Sequence, residues 1–283
     1  QTINPETYKL YVRGMYSLRH ETPESIKQGF DYLNQAINLD PADAFAHAAL
    51  ASGYFEIAHG PQDPGDAMIK GEAAALQAIK LDSTLAETYF ALAQAYEYSM
   101  WNFKEAEKYF RKAISINPNN AYAHFHYAWA LLLFGRNDEA LAENLLARKY
   151  DPFAPEIAAQ LGWLYLHTGQ KEKALQEALK SLDLRPDYNQ GLWGLGDAYL
   201  ALGKVDEAIA SHVTLTLHSP ETLKQFAART QVAGEPVRVH LEVDTGMGRL
   251  GLSPEEVVPF VREILSLPRV EIEGGPPELG LLD

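Results

Sequence analysis

The side chains in this 283-residue sequence that could do chemistry are first of all histidines: His47, His124, His126 and His167 invite a metal-binding reading. Helical metal pairs favour an i,i+4 spacing, which puts both imidazoles on one face. His124 and His126 are two residues apart and on a helix point about 200° from one another, so no metal site is expected. The chain has no cysteine, which removes thiolate zinc sites and disulfides. The scattered Asp and Glu read as solvated surface, and no residue is assigned a catalytic role.

Composition narrows the partners. A hydrophobic content of 47% with 22% charged residues excludes wholesale disorder. The formal net charge of -14 excludes nucleic acid and anionic membrane as partners, because an acidic surface cannot release counterions from a phosphate backbone. No run approaches the ~18 apolar residues of a spanning helix, and no signal-like segment opens the chain, so it reads as soluble, with cytoplasm the default location. It opens on Gln1, not methionine, which reads as a piece of something longer. Oligomeric state is not legible.

The elements that must position these side chains recur. Pro118, Pro152 and Pro186 are spaced by 34 residues (152 minus 118, 186 minus 152). Counting Pro118 as position 32, small residues recur at position 20 (Ala106, Ala140, Ala174, Ala208) and position 27 (Ala113, Ala147, Ser181). Position 7 holds Leu92, Tyr127, Leu161 and Leu195, and position 8 Ala93, Ala128, Gly162 and Gly196. Gly135, Gly169 and Gly203 sit at the turns, where a positive φ suits glycine. Small residues let paired helices approach, large ones fill the gaps, and each proline ends the second helix of its pair. Upstream, Pro41 to Ser83 spans 42 residues and Ser83 to Pro118 spans 35. The extra length of the former falls in the loop 59–65, and Thr22-Pro-Glu-Ser25 breaks a looser first unit.

This pattern resembles the tetratricopeptide repeat family over residues ~4–211, in about six units, the first two with insertions and the last truncated. "NPETYKLYVRGMYSL" is similar, more narrowly, to repeat regions that follow regulatory or cyclase domains in bacterial signalling proteins. The resemblance implies that the first helix of each unit lines a concave face through positions 2, 5, 9, 12 and 13. That face would carry Phe90, Tyr98, Tyr122, Phe125, Trp129, Trp163, His167 and Trp193, with Gln94 and the acids Glu87, Glu97 and Glu156 among them. Such a face suits a protein or peptide with apolar or basic side chains. The family's clamp for a terminal carboxylate uses Lys and Asn at positions 5 and 9. Here Phe90 and Gln94, Phe125 and Trp129, and Ala159 and Trp163 stand there, so that specificity is not expected. Aromatics at helical spacing also read as core.

Beyond Ser211 the period changes. Val213, Leu215 and Leu217 alternate with polar residues as in a strand, and Ser219-Pro220 opens a helix. Val237 to Val243 reads as a second strand, Ser253-Pro254-Glu255-Glu256 caps a helix to about Leu267, and Val270 to Ile272 begins a third strand. "LHSPETL", "VRVHLEVDTGMGRLGLSPEE" and "LPRVEIEGG" resemble the amino-terminal, pyridoxal-phosphate-binding barrel domain of alanine racemase, over residues ~212–275. The resemblance implies that Arg249 hydrogen-bonds the ring oxygen of the cofactor. Glu242 stands where many members carry a lysine that is carbamylated and orients that arginine. The Schiff-base lysine, the opposing tyrosine and the phosphate loops have no counterpart, and Pro-Pro-Glu-Leu follows Gly275 where the family has a histidine.

The expected fold is therefore mainly α: a tetratricopeptide-type α-solenoid over 1–211 and an α/β fragment over 212–283, a β-α-β-α-β slice of a TIM-type barrel. The junction inside a helix reads as a chimeric, recombined frame. Such a slice would expose both sheet edges and an apolar face unless it caps the last repeat. The expected function is a non-catalytic scaffold without cofactor. The alternative is a racemase-like fragment taking pyridoxal phosphate, inactive unless completed by other chains.

Overall fold

The computed structural model of the chain describes residues 4–18, 22–58, 66–100, 102–217, 219–230, 236–241, 243 and 252–272. The loop at 59–65, Glu242 and Arg249 lie outside the described residues. The described chain is mainly helical, with one small parallel sheet, and divides into two compact units, Gln1–Tyr150 and Asp151–Asp283. None of its described helices is long and apolar enough to cross a membrane.

The first unit holds α1 (Pro5–Leu18), α2 (Pro23–Leu39), α3 (Ala44–Ala58), α4 (Ala67–Leu81), α5 (Ala86–Gln94), α6 (Phe103–Ile116), α7 (Ala121–Leu133) and α8 (Asn137–Tyr150). Each odd-numbered helix packs along the next as a hairpin. Capping sets the starts. Thr22 Oγ1 accepts from the Ser25 amide at 3.1 Å while Ser25 Oγ accepts from the Thr22 amide at 3.0 Å, so Thr-Pro-Glu-Ser starts α2. Asn102 and Asn120 cap α6 and α7 in the same sense. The first helix of the fourth hairpin ends on Gly135 at φ 70°, whose left-handed turn lets the Arg136 amide reach the Leu131 carbonyl at 3.0 Å.

Close approach is what the small residues provide. Ala106, Ala113, Ala140 and Ala147 are fully buried between paired helices. In the first hairpin the same role falls to glycine. A Cβ on Gly29 would stand 2.7 Å from Leu18 Cγ and 2.9 Å from the Gly14 carbonyl, and one on Gly14 2.8 Å from Leu33 Cγ.

The third hairpin, 35 residues from Ser83 to Pro118, carries one residue more than the repeat, and the helix absorbs it. α5 runs into a π turn, Ala95–Ser99, where the Met100 amide reaches back five residues to the Ala95 carbonyl at 3.2 Å. Widening one turn keeps Leu92 at position 7 and Ala106 at position 20 in register on both sides.

The second unit holds α9 (Pro155–His167), α10 (Lys171–Leu184), α11 (Asn189–Ala201), α12 (Val205–Ala210), β1 (Leu215–Leu217), α13 (Pro220–Thr230), β2 (Val237–Leu241), α14 (Pro254–Leu265) and β3 (Val270–Ile272). The strands lie in order β1-β2-β3, all parallel, with Leu215 opposite Val239 and Val237 opposite Val270. The residue expected to begin the α/β segment, His212, lies inside this unit, and one core runs across it. Leu195, Leu200, Val205 and Ala208 of the last hairpin are packed with Val213, Leu215, Leu217, Leu223, Phe226, Val239, Phe260 and Ile264. A Cβ on Gly196 would meet Leu215 Cδ2 at 3.0 Å, so β1 sits close against α11. The apolar face that an open barrel slice would expose is thus shared with the terminal hairpin, as a cap requires.

Two substitutions test these contacts. Gly29→Ala should cost about 1–3 kcal/mol, because backbone and not a flexible side-chain tip blocks the new methyl. Phe226→Ala, emptying the shared core, should cost about 3–5 kcal/mol and melt α11 and α12 together with the sheet. Chemical denaturation followed by circular dichroism reads the first, and the same titration with Trp193 emission, in a chain whose Trp101, Trp129 and Trp163 are changed to Phe, reads the second. A normal Trp193 transition in the Phe226 variant would separate the sheet from the hairpin.

Candidate functional site

Helix α7 is apolar nearly all round (Ala-Tyr-Ala-His-Phe-His-Tyr-Ala-Trp-Ala-Leu-Leu-Leu), a pattern that calls for burial on every side. Its hairpin faces are sealed: Ala123, Tyr127, Ala128, Ala130 and Leu131 are buried. Tyr122, Phe125 and Trp129, at i, i+3 and i+7, are only half-buried. These are three of the positions expected on the concave face, and the hairpin leaves their rings open.

Around His126 the structure brings several expected face residues together. Phe90, Tyr122 and Phe125 set their rings 5.3, 6.5 and 5.1 Å from the imidazole, and the Tyr98 hydroxyl lies 3.0 Å from Nδ1. Phe90 itself is buried, 8% exposed, against Phe110 and His126, so it belongs to the interior of this cluster. In the second unit Trp163 and His167 pair edge to face at 5.5 Å, with His167 Nδ1 2.9 Å from the Trp163 carbonyl. Trp193, 42% exposed, faces His240 of β2 at 6.2 Å.

Among the described residues no group of three histidines or acids is placed to hold a metal. His124 serves the fold instead. Its Nδ1 lies 2.6 Å from Glu143 Oε2 and its Nε2 3.0 Å from the Pro118 carbonyl, while its ring stacks on Tyr150. Both partners are acceptors, an arrangement that favours the ring with both nitrogens protonated. Burial alone would lower its pKa, but Glu143 and the carbonyl outweigh that and hold it above the ordinary value. Glu107 is a second hub. It accepts from Arg136, Arg111 and the Tyr127 hydroxyl, which overcome its desolvation and keep it ionised, while burial and that same carboxylate push Tyr127 up to about 12.

Two buried polar side chains, Gln94 and Glu97, stand at positions 9 and 12 of the third hairpin. Gln94 is fully buried, its Oε1 accepting from Ser52 Oγ at 2.8 Å, and its Nε2 meets no acceptor. Glu97, in the π turn, is 2% exposed and neither carboxylate oxygen meets a donor at hydrogen-bonding geometry. Burial raises its pKa well above the carboxylate range, and the nearby Tyr98 hydroxyl draws it back only in part. The signal in the sequence was the 35-residue unit: an extra residue within a helix re-aims the side chains after it.

The geometry and the fold define a helical-repeat chain of tetratricopeptide type with a racemase-like α/β segment. Residues 101–159 match the tetratricopeptide repeat family and residues 158–275 the family described as alanine racemase, N-terminal domain; the second match begins in α9, upstream of the motifs. Over 162 residues the chain is 29% identical to the transcriptional regulator HilA of Salmonella typhimurium, covering 56% of this chain and 29% of HilA. Over 77 residues it is 36% identical to the alanine racemase of Desulforamulus reducens, covering 27% of this chain and 21% of the enzyme. The chain thus spans less than a third of either curated relative. Among solved structures, TTC0263, a thermophilic TPR protein of Thermus thermophilus, aligns with TM-score 0.54 at 20% identity over 69% of this chain and 99% of its own. PilW, a type IV pilus biogenesis factor, aligns with TM-score 0.51 at 16% identity over 81% of this chain and 94% of its own. Both likenesses concern the fold.

Pyridoxal phosphate, which the racemase family implies, is not fitted by the described residues. The strands read Leu-Thr-Leu, Val-Arg-Val-His-Leu and Val-Glu-Ile, without a lysine to form the aldehyde adduct, and α11 packs against β1.

The Glu97 carboxyl yields a signed prediction. Folding raises its pKa above the unfolded value of 4.5, so the folded chain keeps a proton that the unfolded chain has released. Stability from this group is full below that value and falls as pH rises from there through the folded pKa. Glu97→Gln should remove that slope and raise the melting temperature at neutral pH. Parallel stability curves for the two proteins between about pH 4.5 and 8 would refute it.

Proposed function

We propose that the chain is a non-catalytic protein-interaction scaffold whose inward aromatic positions hold a peptide segment with apolar and basic side chains. The observation that carries this is the half-open row of Tyr122, Phe125 and Trp129 on a helix whose remaining faces are sealed. Large rigid rings left half open supply contact area at little entropic cost. The chain's net charge of -14 favours basic over acidic ligands by steering and by rim pairing. The absence of Lys and Asn from positions 5 and 9 argues against capture of a terminal carboxylate. The racemase-like segment serves as the terminal cap of the second unit, without chemistry of its own.

The test is binding of fluorescein-labelled apolar peptides carrying two lysines or two glutamates. The lysine series should bind more tightly and weaken with salt. Trp129→Ala should cost about 2 kcal/mol of affinity, roughly thirtyfold, with helicity unchanged. Loss of helicity in Trp129→Ala would make that ring core. D/L-alanine interconversion by the chain with added pyridoxal phosphate would overturn the non-catalytic reading.

A further inference from the structure

The reading of an aromatic peptide-binding face leaves one buried group without a use. Glu97 sits at position 12 of its repeat, on the expected inner face, and offers two carboxylate oxygens that meet no donor at hydrogen-bonding geometry, with the Tyr98 hydroxyl nearby. Gln94, three residues earlier, adds a buried amide nitrogen that meets no acceptor. Such groups are costly to bury unpaired, and the helical run that carries both also carries Phe90 and Tyr98, whose rings meet His126. The third hairpin also carries at this point the π turn Ala95–Ser99, the one π turn among the described helices, and that turn holds Glu97 and Tyr98. Inserted π turns recur at functional sites because they re-aim side chains that an α-helix would direct elsewhere.

We infer that Gln94 and Glu97 form a receptor in the first unit for one guanidinium side chain, the arginine of a bound peptide. The inference rests on the peptide-binding reading and deepens it. A guanidinium brings planar paired N–H donors that match both carboxylate oxygens once the Glu97 carboxyl has given its proton to solvent, and its flat face stacks on tyrosine or phenylalanine. The Gln94 amide then has a peptide carbonyl to donate to. Ser52 holds Gln94 by its oxygen, which leaves the amide nitrogen as the free end. Glu97 is closed over in the unliganded chain, so the arginine enters as the π turn loosens. That turn is held by a wider, weaker hydrogen-bond pattern than the α-helix before it.

The experiment compares acetyl-Leu-Phe-Arg-Leu-Phe-amide with its norleucine-for-arginine counterpart, by calorimetric titration of the full chain, of Glu97→Gln and of Trp129→Ala. The wild-type chain should bind the arginine peptide about tenfold or more tightly than the norleucine peptide. Glu97→Gln should bring the two together by weakening the arginine peptide alone, and Trp129→Ala should weaken both. Glu97→Met, apolar and of similar length, repeats the measurement should the glutamine variant not fold. Equal wild-type affinities for the two peptides overturn the receptor while leaving the aromatic face standing. An arginine preference that survives in Glu97→Gln overturns it too, because another acid then supplies it. Failure of both peptides to bind overturns the peptide-binding reading and the receptor together.

Discussion

The fold depends on how closely two helices can pack when the residue between them is no larger than a methyl. Ala106 and Ala140 in the first unit, and Ala174 and Ala208 in the second, are sealed at that contact. A larger side chain there would force the axes apart or the neighbours off their rotamers. Once the hairpins close on alanine and glycine, the large residues at position 7 have one place to go, and Tyr127, Leu161 and Leu195 fill it. Residues at positions 2, 5 and 9 are then left outside the hairpin. That is why the bulkiest rings of α7 remain half open on a chain that buries apolar surface wherever it can.

The same register explains the π turn. The third unit has one residue too many, and both ends of its first helix are pinned, by Leu92 on one side and by the Asn102 cap and Ala106 on the other. With a connection of a few residues to the next helix, widening one helical turn disturbs the contacts least. The consequence is chemical as well as geometric. The widened turn buries a carboxyl beside the Tyr98 hydroxyl, and burial raises its pKa well above the ordinary carboxylate range, which the regular repeat gives no reason to expect.

How much of this the sequence discloses depends on the range over which each feature is determined. Features that recur at fixed spacing, such as the buried Ala106 and Ala140 or the left-handed turns at Gly135, Gly169 and Gly203, are legible because each is local to one hairpin. The strands at 215–217, 237–241 and 270–272 are legible from alternation and from their caps. Openness of the inner face is not. Phe90 and Phe125 occupy the same repeat position, yet Phe90 is buried and Phe125 half open, because His126 and Phe110 close over the former. That difference lies in which neighbour packs where, and no period encodes it. Likewise Thr22-Pro-Glu-Ser25 looks like an interruption until its reciprocal hydrogen bonds show it to be a start.

The racemase-like segment separates packing from chemistry. Of the motif residues that resemble that family, Leu217, Leu223, Val237 and Val239 are buried in the core that the sheet holds in common with α11 and α12. A parallel strand needs apolar residues on its covered face whatever the covering element, so these residues keep their value with a helical hairpin on that face. Cofactor chemistry has no such tolerance. It needs an amine, an acid-base partner and phosphate donors from several strands at once, and three strands backed by a repeat hairpin bring no lysine into the sheet. In the described residues the likeness thus coincides with a shared way of covering a sheet, since the strands hold their apolar core in common with the last hairpin.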